Sequence, residues 1–234
     1  MKYARPLVRA VLIRRYKRFL ADVTLEDGTE TTAHCANPGA MTGLAEAGTI
    51  VWLEPNDDPK RKLRYSWKLA EIGGALVGID TALPNKVVGE ALRSWAVPAL
   101  AAYKTVRAEV KYGENSRVDF LLTEDGLPDC YVEVKSANLC RKAGLVEFPD
   151  TVTTRGTKHM NELAAMVAAG HRAVVLTLVQ RTDCSAFAVA DDIDPAYNAA
   201  YQAARKAGVE ALCFRANLTR EGASFGEALP IVSR

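Results

Sequence analysis

A chain of 234 residues, 49% hydrophobic and 25% charged, is ordinary in polarity and long enough for one large or two small packed domains. Its formal net charge of +2 excludes a globally basic nucleic-acid binder, so any such surface has to be a local patch. No stretch approaches the ~20 apolar residues of a membrane span. The basic N-terminus lacks the apolar core and cleavage site of a signal peptide, and five scattered cysteines with no C-x-x-C pair predict a reduced, cytoplasmic compartment and argue against zinc.

Short β-like runs come first in the chain, at 6–13, 19–25, 29–35 (after an Asp27-Gly28 turn signal), 49–55 and 64–69. Several short strands punctuated by Gly and Pro predict a small barrel. The pattern changes near residue 82. A helix is expected over 87–95, then strands near 105–111, 117–122 and 130–135. A second helix is expected over 155–169, with Met160, Leu163, Ala164 and Val167 at helical spacing. The continuous apolar run 173–179 reads as a strand at the centre of a buried sheet. A helix at 195–207 and a strand at 209–215 complete an α/β layered domain with a mixed sheet.

The residues with most chemical content are Asp119 in RVDFLL and Glu133 and Lys135 in CYVEVKSA. They sit on two apolar runs joined by a turn-rich stretch, 123–129, which reads as an antiparallel pair. Side-chain alternation puts Glu133 and Lys135 on one face and Val132 and Val134 on the other. If Asp119 pairs near Glu133, two carboxylates and an ammonium converge where a divalent metal and a water could sit, the requirement for hydrolysing a phosphodiester. E-x-K alone is a common pattern on half-solvated strands. Here, however, the charges interrupt an otherwise buried strand, where an unpaired charge is costly.

Two basic segments of the first domain mix cations with aromatics: Arg14, Arg15, Lys17 and Arg18 beside Tyr16 and Phe19, and Arg61, Lys62 and Arg64 beside Tyr65 and Trp67. Barrels of this size bind nucleic acid by stacking bases and following the backbone with cations, although a solvated basic turn over core aromatics has the same composition. Asn37-Pro38-Gly39 reads as a turn that either faces a phosphate with its amides or packs against the second domain. His34 and His171 look isolated, which argues against a histidine metal centre.

Several segments together resemble the sugar fermentation stimulation protein family, SfsA: 33–41 (AHCANPGAM), 59–63 (PKRKL), Leu83-Pro84-Asn85, and 148–150 (FPD) through 155–159 (RGTKH). The resemblance runs over essentially the whole chain. It implies an OB-like nucleic-acid-binding barrel over 1–82 and a PD-(D/E)xK nuclease-like, restriction-endonuclease-like α/β domain over 83–234. It also implies DNA binding, with RNA as a second candidate, and a link to the regulation of sugar (maltose) metabolism. Asp80 stands where Asn is expected in the family. On this resemblance Asp119 and Glu133 become ligands of Mg²⁺ or Mn²⁺, with the Val134 carbonyl as a third. Lys135 orients water or stabilises developing charge, and Glu90 is a further acid from the helix before the sheet. Arg155, His159 and Glu162 fall at i, i+4 and i+7, one helix face beside the E-x-K strand. On the resemblance this stripe contacts the scissile phosphate and holds metal-bound water, with His159 and Glu162 as catalytic candidates and Arg155 and Lys158 as nucleic-acid contacts, although an exposed face with an ordinary ion pair has the same spacing. Three functions remain open: a metal-dependent nuclease, a non-catalytic DNA-binding regulator on a nuclease scaffold, and a module binding protein or small ligand. Oligomeric state is also open, a homodimer included.

Overall fold

The computed structural model describes residues 1–113 and 116–233; position 234, the end of the expected second domain, lies outside them. The N-terminal part is built from β1 (Val8–Tyr16), β2 (Leu20–Leu25), β3 (Glu30–Cys35), β4 (Ile50–Pro55), β5 (Tyr65–Ile72) and β6 (Ala75–Gly78). β1 pairs antiparallel with both β2 and β4, β4 pairs with β5, and β5 returns to β3 in parallel. That last pairing closes β3-β2-β1-β4-β5 into a five-stranded OB-like barrel, and β6 adds a hairpin to β5. Alternating inward residues fill it: Leu12, Val23, Ala33, Leu53 and Trp67 are all buried in one cluster.

The second part opens with α1 (Leu83–Arg93), which starts four residues before the expected helix because Pro84 fits the first turn, where no N–H is needed. Trp95, at φ 55°, ends it. Next come β7 (Thr105–Tyr112), β8 (Ser116–Thr123), β9 (Cys130–Ala137), β10 (Leu139–Lys142), β11 (Leu145–Phe148), α2 (Thr154–Ala168), β12 (Arg172–Val179), β13 (Ala186–Val189), α3 (Pro195–Ala207), β14 (Glu210–Leu218) and β15 (Ala223–Ala228). The main sheet runs β15-β14-β12-β9-β8-β7. It is parallel through β14, β12 and β9 and antiparallel at both edges. α1 packs on one face against Val132, Val134, Val174 and Leu176, while α2 and α3 cover Ala173 and Val175 on the other. β10, β11 and β13 form a small side sheet.

The strands absent from the sequence reading (β6, β10, β11, β13, β15) are four to six residues long. The four-residue runs carry too little periodicity to identify, and β15 (ASFGEA) is interrupted by a glycine and has little apolar content. The two parts also share a core: Trp52 and Leu69 of the barrel lie in the cluster that contains α1, β9, β12 and β14 residues. The first residues leave the barrel, with Lys2 bridging Gly222 and Tyr3 N–H donating to the Glu221 carbonyl. Asp80, at the junction, accepts from Lys68 Nζ at 2.9 Å and from the Ala82 N–H. No helix among the described residues is long and apolar enough to cross a membrane.

Candidate active site at the barrel–sheet junction

β8 and β9 pair from Leu122↔Cys130 to Phe120↔Val132, and the ladder stops there. β8 meanwhile stays paired with β7 as far as Tyr112↔Ser116. Where the strands part, the Asp119 carboxylate takes over the pairing: the Val134 N–H donates to Oδ2 at 2.7 Å. Asn85 Nδ2, from the first turn of α1, donates to Oδ1 at 2.6 Å. Asp119 therefore sits in the expected place but is held by a backbone amide and by an asparagine the sequence reading did not assign to the site. The hint was that Asn85 belongs to Leu83-Pro84-Asn85, one of the short segments that carry the family resemblance.

On β9, Val132 and Val134 face the α1 core, and Glu133 and Lys135 face α2, as alternation requires. Glu133 is 3% and Lys135 9% exposed. Lys135 Nζ donates to Glu133 Oε1 at 2.8 Å. His159 of α2 contacts the same oxygen through Nδ1. Arg155 Nε donates to His159 Nε2 at 3.3 Å, which assigns the ring proton to Nδ1, pointing at Glu133. Burial pushes Glu133 up, but the His159 hydrogen bond and the Lys135 charge outweigh it and hold the carboxyl below its usual range. Asp119 goes the other way: burial and the Glu133 charge push it up to about 6, against the pull of the Val134 N–H and Asn85.

Glu133 Oε2 is buried and has no hydrogen-bond partner. An orphaned carboxylate oxygen next to a second, destabilised carboxylate suits a hard divalent cation, and Val134, whose N–H Asp119 holds, would offer its carbonyl as a further oxygen. No three His, Cys, Asp or Glu side chains among the described residues stand ready as a metal cage. The donor set here is two carboxylates and backbone, the kind that leaves positions for water.

Lys135 and Val134 open into a cleft of about 390 Å³ between the two parts of the molecule. Asn37, Pro38 and Gly39 of the barrel form one wall, and 147–153 another. Of the two roles the sequence left open for the Asn37–Gly39 turn, packing on the second domain is the one present, and the Gly39 N–H is taken by Asn37 Oδ1 at 2.8 Å. The packing is close, since a Cβ at Gly39 would fall 2.4 Å from Asp150 Oδ2.

Not every expected site residue joins this cluster. Glu90 is removed from it: its carboxylate is largely exposed and pairs with the Met1 ammonium at 2.7 Å. α1 turns that position away, and Asn85, nearer its start, is the one that reaches Asp119. Glu162 lies further along α2 beside Tyr112 and Gly113, 3.6 Å from Lys158, with both carboxylate oxygens buried and lacking hydrogen bonds. Arg155 and Lys158 are exposed on α2.

On the barrel, Arg14 pairs with Asp22 and covers the Tyr16 ring. Arg15 is structural rather than a free cation, because it donates to the carbonyls of Arg18, Asn37 and Gly39. Lys17, Arg18, Arg61, Lys62 and Arg64 are exposed. Trp67, expected beside a base-stacking patch, is 0% exposed, and its Nε1 donates to the Leu69 carbonyl. Inward alternation along β5 makes it core.

The fold and site thus define a class: an OB-like barrel joined to a mixed-sheet α/β domain that carries an acid–acid–lysine cluster where its central strands part. Residues 13–79 match the SfsA N-terminal OB domain, and residues 82–222 match the sugar fermentation stimulation protein RE domain. The chain belongs to the sugar fermentation stimulation protein family. It is 60% identical to the sugar fermentation stimulation protein homolog of Ruegeria sp. (strain TM1040), covering 98% of this chain and 100% of that one. It is 61% identical to the homolog of Dinoroseobacter shibae, covering 99% and 96%. Among solved structures it matches Pyrococcus furiosus SfsA in complex with Ca²⁺, at TM-score 0.88 and 26% identity over 99% of this chain and 98% of that one.

Proposed function

We propose that this protein is a metal-dependent phosphodiester hydrolase that binds DNA across the cleft between barrel and α/β domain. The observation that carries the reading is the orphaned, buried Glu133 Oε2 beside an Asp119 carboxyl that burial first, and then the Glu133 charge, push up. Two carboxylates kept this close are unfavourable unless a cation joins them. Asp119, Glu133 and the Val134 carbonyl would hold Mg²⁺ or Mn²⁺, which supplies positive charge to a phosphate and acidifies a bound water. The Ca²⁺ carried by the Pyrococcus furiosus protein supports a divalent ion in the family.

The chain's own groups do the rest. Val134 N–H and Asn85 fix the orientation of Asp119. His159 and Lys135 clamp Oε1 of Glu133, leaving Oε2 as the free oxygen. Lys135 Nζ, at the cleft, donates to a phosphate oxygen and offsets charge that develops there. Arg155 and Lys158, with Lys17, Arg18, Arg61, Lys62 and Arg64 on the barrel, follow the backbone as local cationic patches. A second reading, a DNA-binding regulator of sugar metabolism without turnover, is favoured by the name its relatives carry.

The test is cleavage of end-labelled single-stranded and duplex DNA with Mg²⁺ or Mn²⁺, with Asp119→Ala and Glu133→Ala alongside. Cleavage abolished in both variants and by EDTA supports the hydrolase. Salt-sensitive binding by all three proteins with no cleavage by the wild type favours the regulator.

A further inference from the structure

The β1–β2 connection has a feature that the cleft alone does not explain. Lys17 and Arg18 both adopt left-handed backbone, at φ 48° and 62°. They are followed by Phe19, 46% exposed, whose ring lies nearly parallel to that of His34, with centroids 6.4 Å apart and 19° between planes. His34, Lys17 and Arg18 are exposed as well. A single exposed aromatic needs no explanation. A stacked pair, open to solvent and flanked by two cations, is an apolar step inside a positive patch. The backbone beneath it is fixed, since the Cys35 N–H donates to the Phe19 carbonyl at 2.8 Å.

This tip is wired to the cleft by one side chain. Arg15 Nε donates to the Arg18 carbonyl at 3.0 Å, and its Nη2 donates to the carbonyls of Asn37 at 2.7 Å and Gly39 at 3.0 Å. A single guanidinium thus spans the connection that carries Phe19 and the turn that walls the cleft beside Lys135. We propose that the Phe19–His34 pair is a base-stacking platform for a single strand of nucleic acid, whose backbone passes over the Asn37–Gly39 turn into the cleft. The strand must be single because a duplex hides the base faces an aromatic stacks on. Lys17 and Arg18 meet the phosphates on either side of the stacked base.

The proposal rests on the nucleic-acid reading above for the class of partner, but not on cleavage. It is tested on the full chain in EDTA, by fluorescence anisotropy with labelled oligo-dT, oligo-U and a DNA duplex, each about 15 nucleotides long. Oligo-dT or oligo-U is expected to bind more tightly than duplex. Phe19→Ala weakens that binding by about 5- to 150-fold, the range for losing one aromatic–base stack. Phe19→Tyr keeps it, and duplex affinity does not move. Phe19→Leu, which preserves apolar contact with His34 and so guards against an unfolding artefact, is weak like the alanine variant at an unchanged melting temperature. Duplex bound as tightly as single strands by the wild type overturns the proposal, as does Phe19→Ala without effect. A protein that binds single strands through Phe19 but cleaves nothing leaves it standing while removing the hydrolase reading.

Discussion

Asp119 and Lys135 are the two residues whose surroundings make quantitative demands. Asp119 is pushed up to about 6, above its usual value near 4. Ionised Asp119 therefore costs the folded state stability above pH 6, and the cost disappears once both folded and unfolded forms are protonated, below about pH 4. With the ion absent, Asp119→Asn should be more stable than wild type at pH 7.5 by up to about 2–3 kcal/mol and no different at pH 4, a comparison urea melts can make. The same proton competes with a cation. Mn²⁺ affinity by calorimetry should be about tenfold weaker at pH 5 than at pH 7.5 and flat above pH 7; a flat profile throughout would remove Asp119 from the ligand set. Lys135 is the counter-charge of a buried Glu133. Lys135→Met should cost about 3 kcal/mol in EDTA, because it leaves that carboxylate underpaired. Added Mn²⁺ should return part of the loss, and no recovery would speak against a cation at Glu133.

At the scale of elements, the site depends on how α2 is anchored. Thr153 caps α2 by accepting from the Gly156 N–H, and the Thr153 N–H in turn donates to Asp194 Oδ2 at 2.7 Å. Asp194 also caps α3 by accepting from the Tyr197 N–H at 2.9 Å, and it is almost wholly buried. One carboxylate therefore ties the starts of both helices that cover the sheet on the Glu133 face. Asp194→Ala should cost about 3 kcal/mol, more than an ordinary cap, because it leaves two buried donors unsatisfied. Amide exchange should then quicken at the start of α2, where Arg155 and His159 lie. The Asn37–Gly39 turn is the barrel's matching contribution. Gly39→Ala would drive a Cβ against Asp150 Oδ2 and Asn37 Oδ1. The expected result is a change in nucleic-acid affinity and turnover with a melting temperature close to wild type.

At the scale of the whole molecule, barrel and α/β domain share buried side chains through Trp52, Leu69 and α1, and the N-terminal residues run along the β14–β15 hairpin. Calorimetry should accordingly give one transition, with a van't Hoff enthalpy close to the calorimetric one. Two resolved transitions would mean that the shared core contributes little. The cleft exists only because of this docking, since its walls come from both parts.

Much of this was legible in the residues alone. Two-residue alternation put Glu133 and Lys135 on one face of β9 and the valines on the other, and helical spacing placed Met160 and Leu163 in the core with His159 turned to the strand. The change of pattern near residue 82 separated a small barrel from an α/β domain, and the family resemblance, carried by short motifs, named the two parts. Local periodicity does not encode where a strand pair ends, which helix position reaches across, or which aromatic lies inside a closed barrel. Parting β8 from β9 brought Asp119 to the Val134 amide. Docking α1 chose Asn85 and turned Glu90 outward, and closing β5 onto β3 took Trp67 out of solvent while leaving Phe19 in it. Sequence decides what local geometry and burial periodicity decide; partners dozens of residues apart are set only when the layers pack.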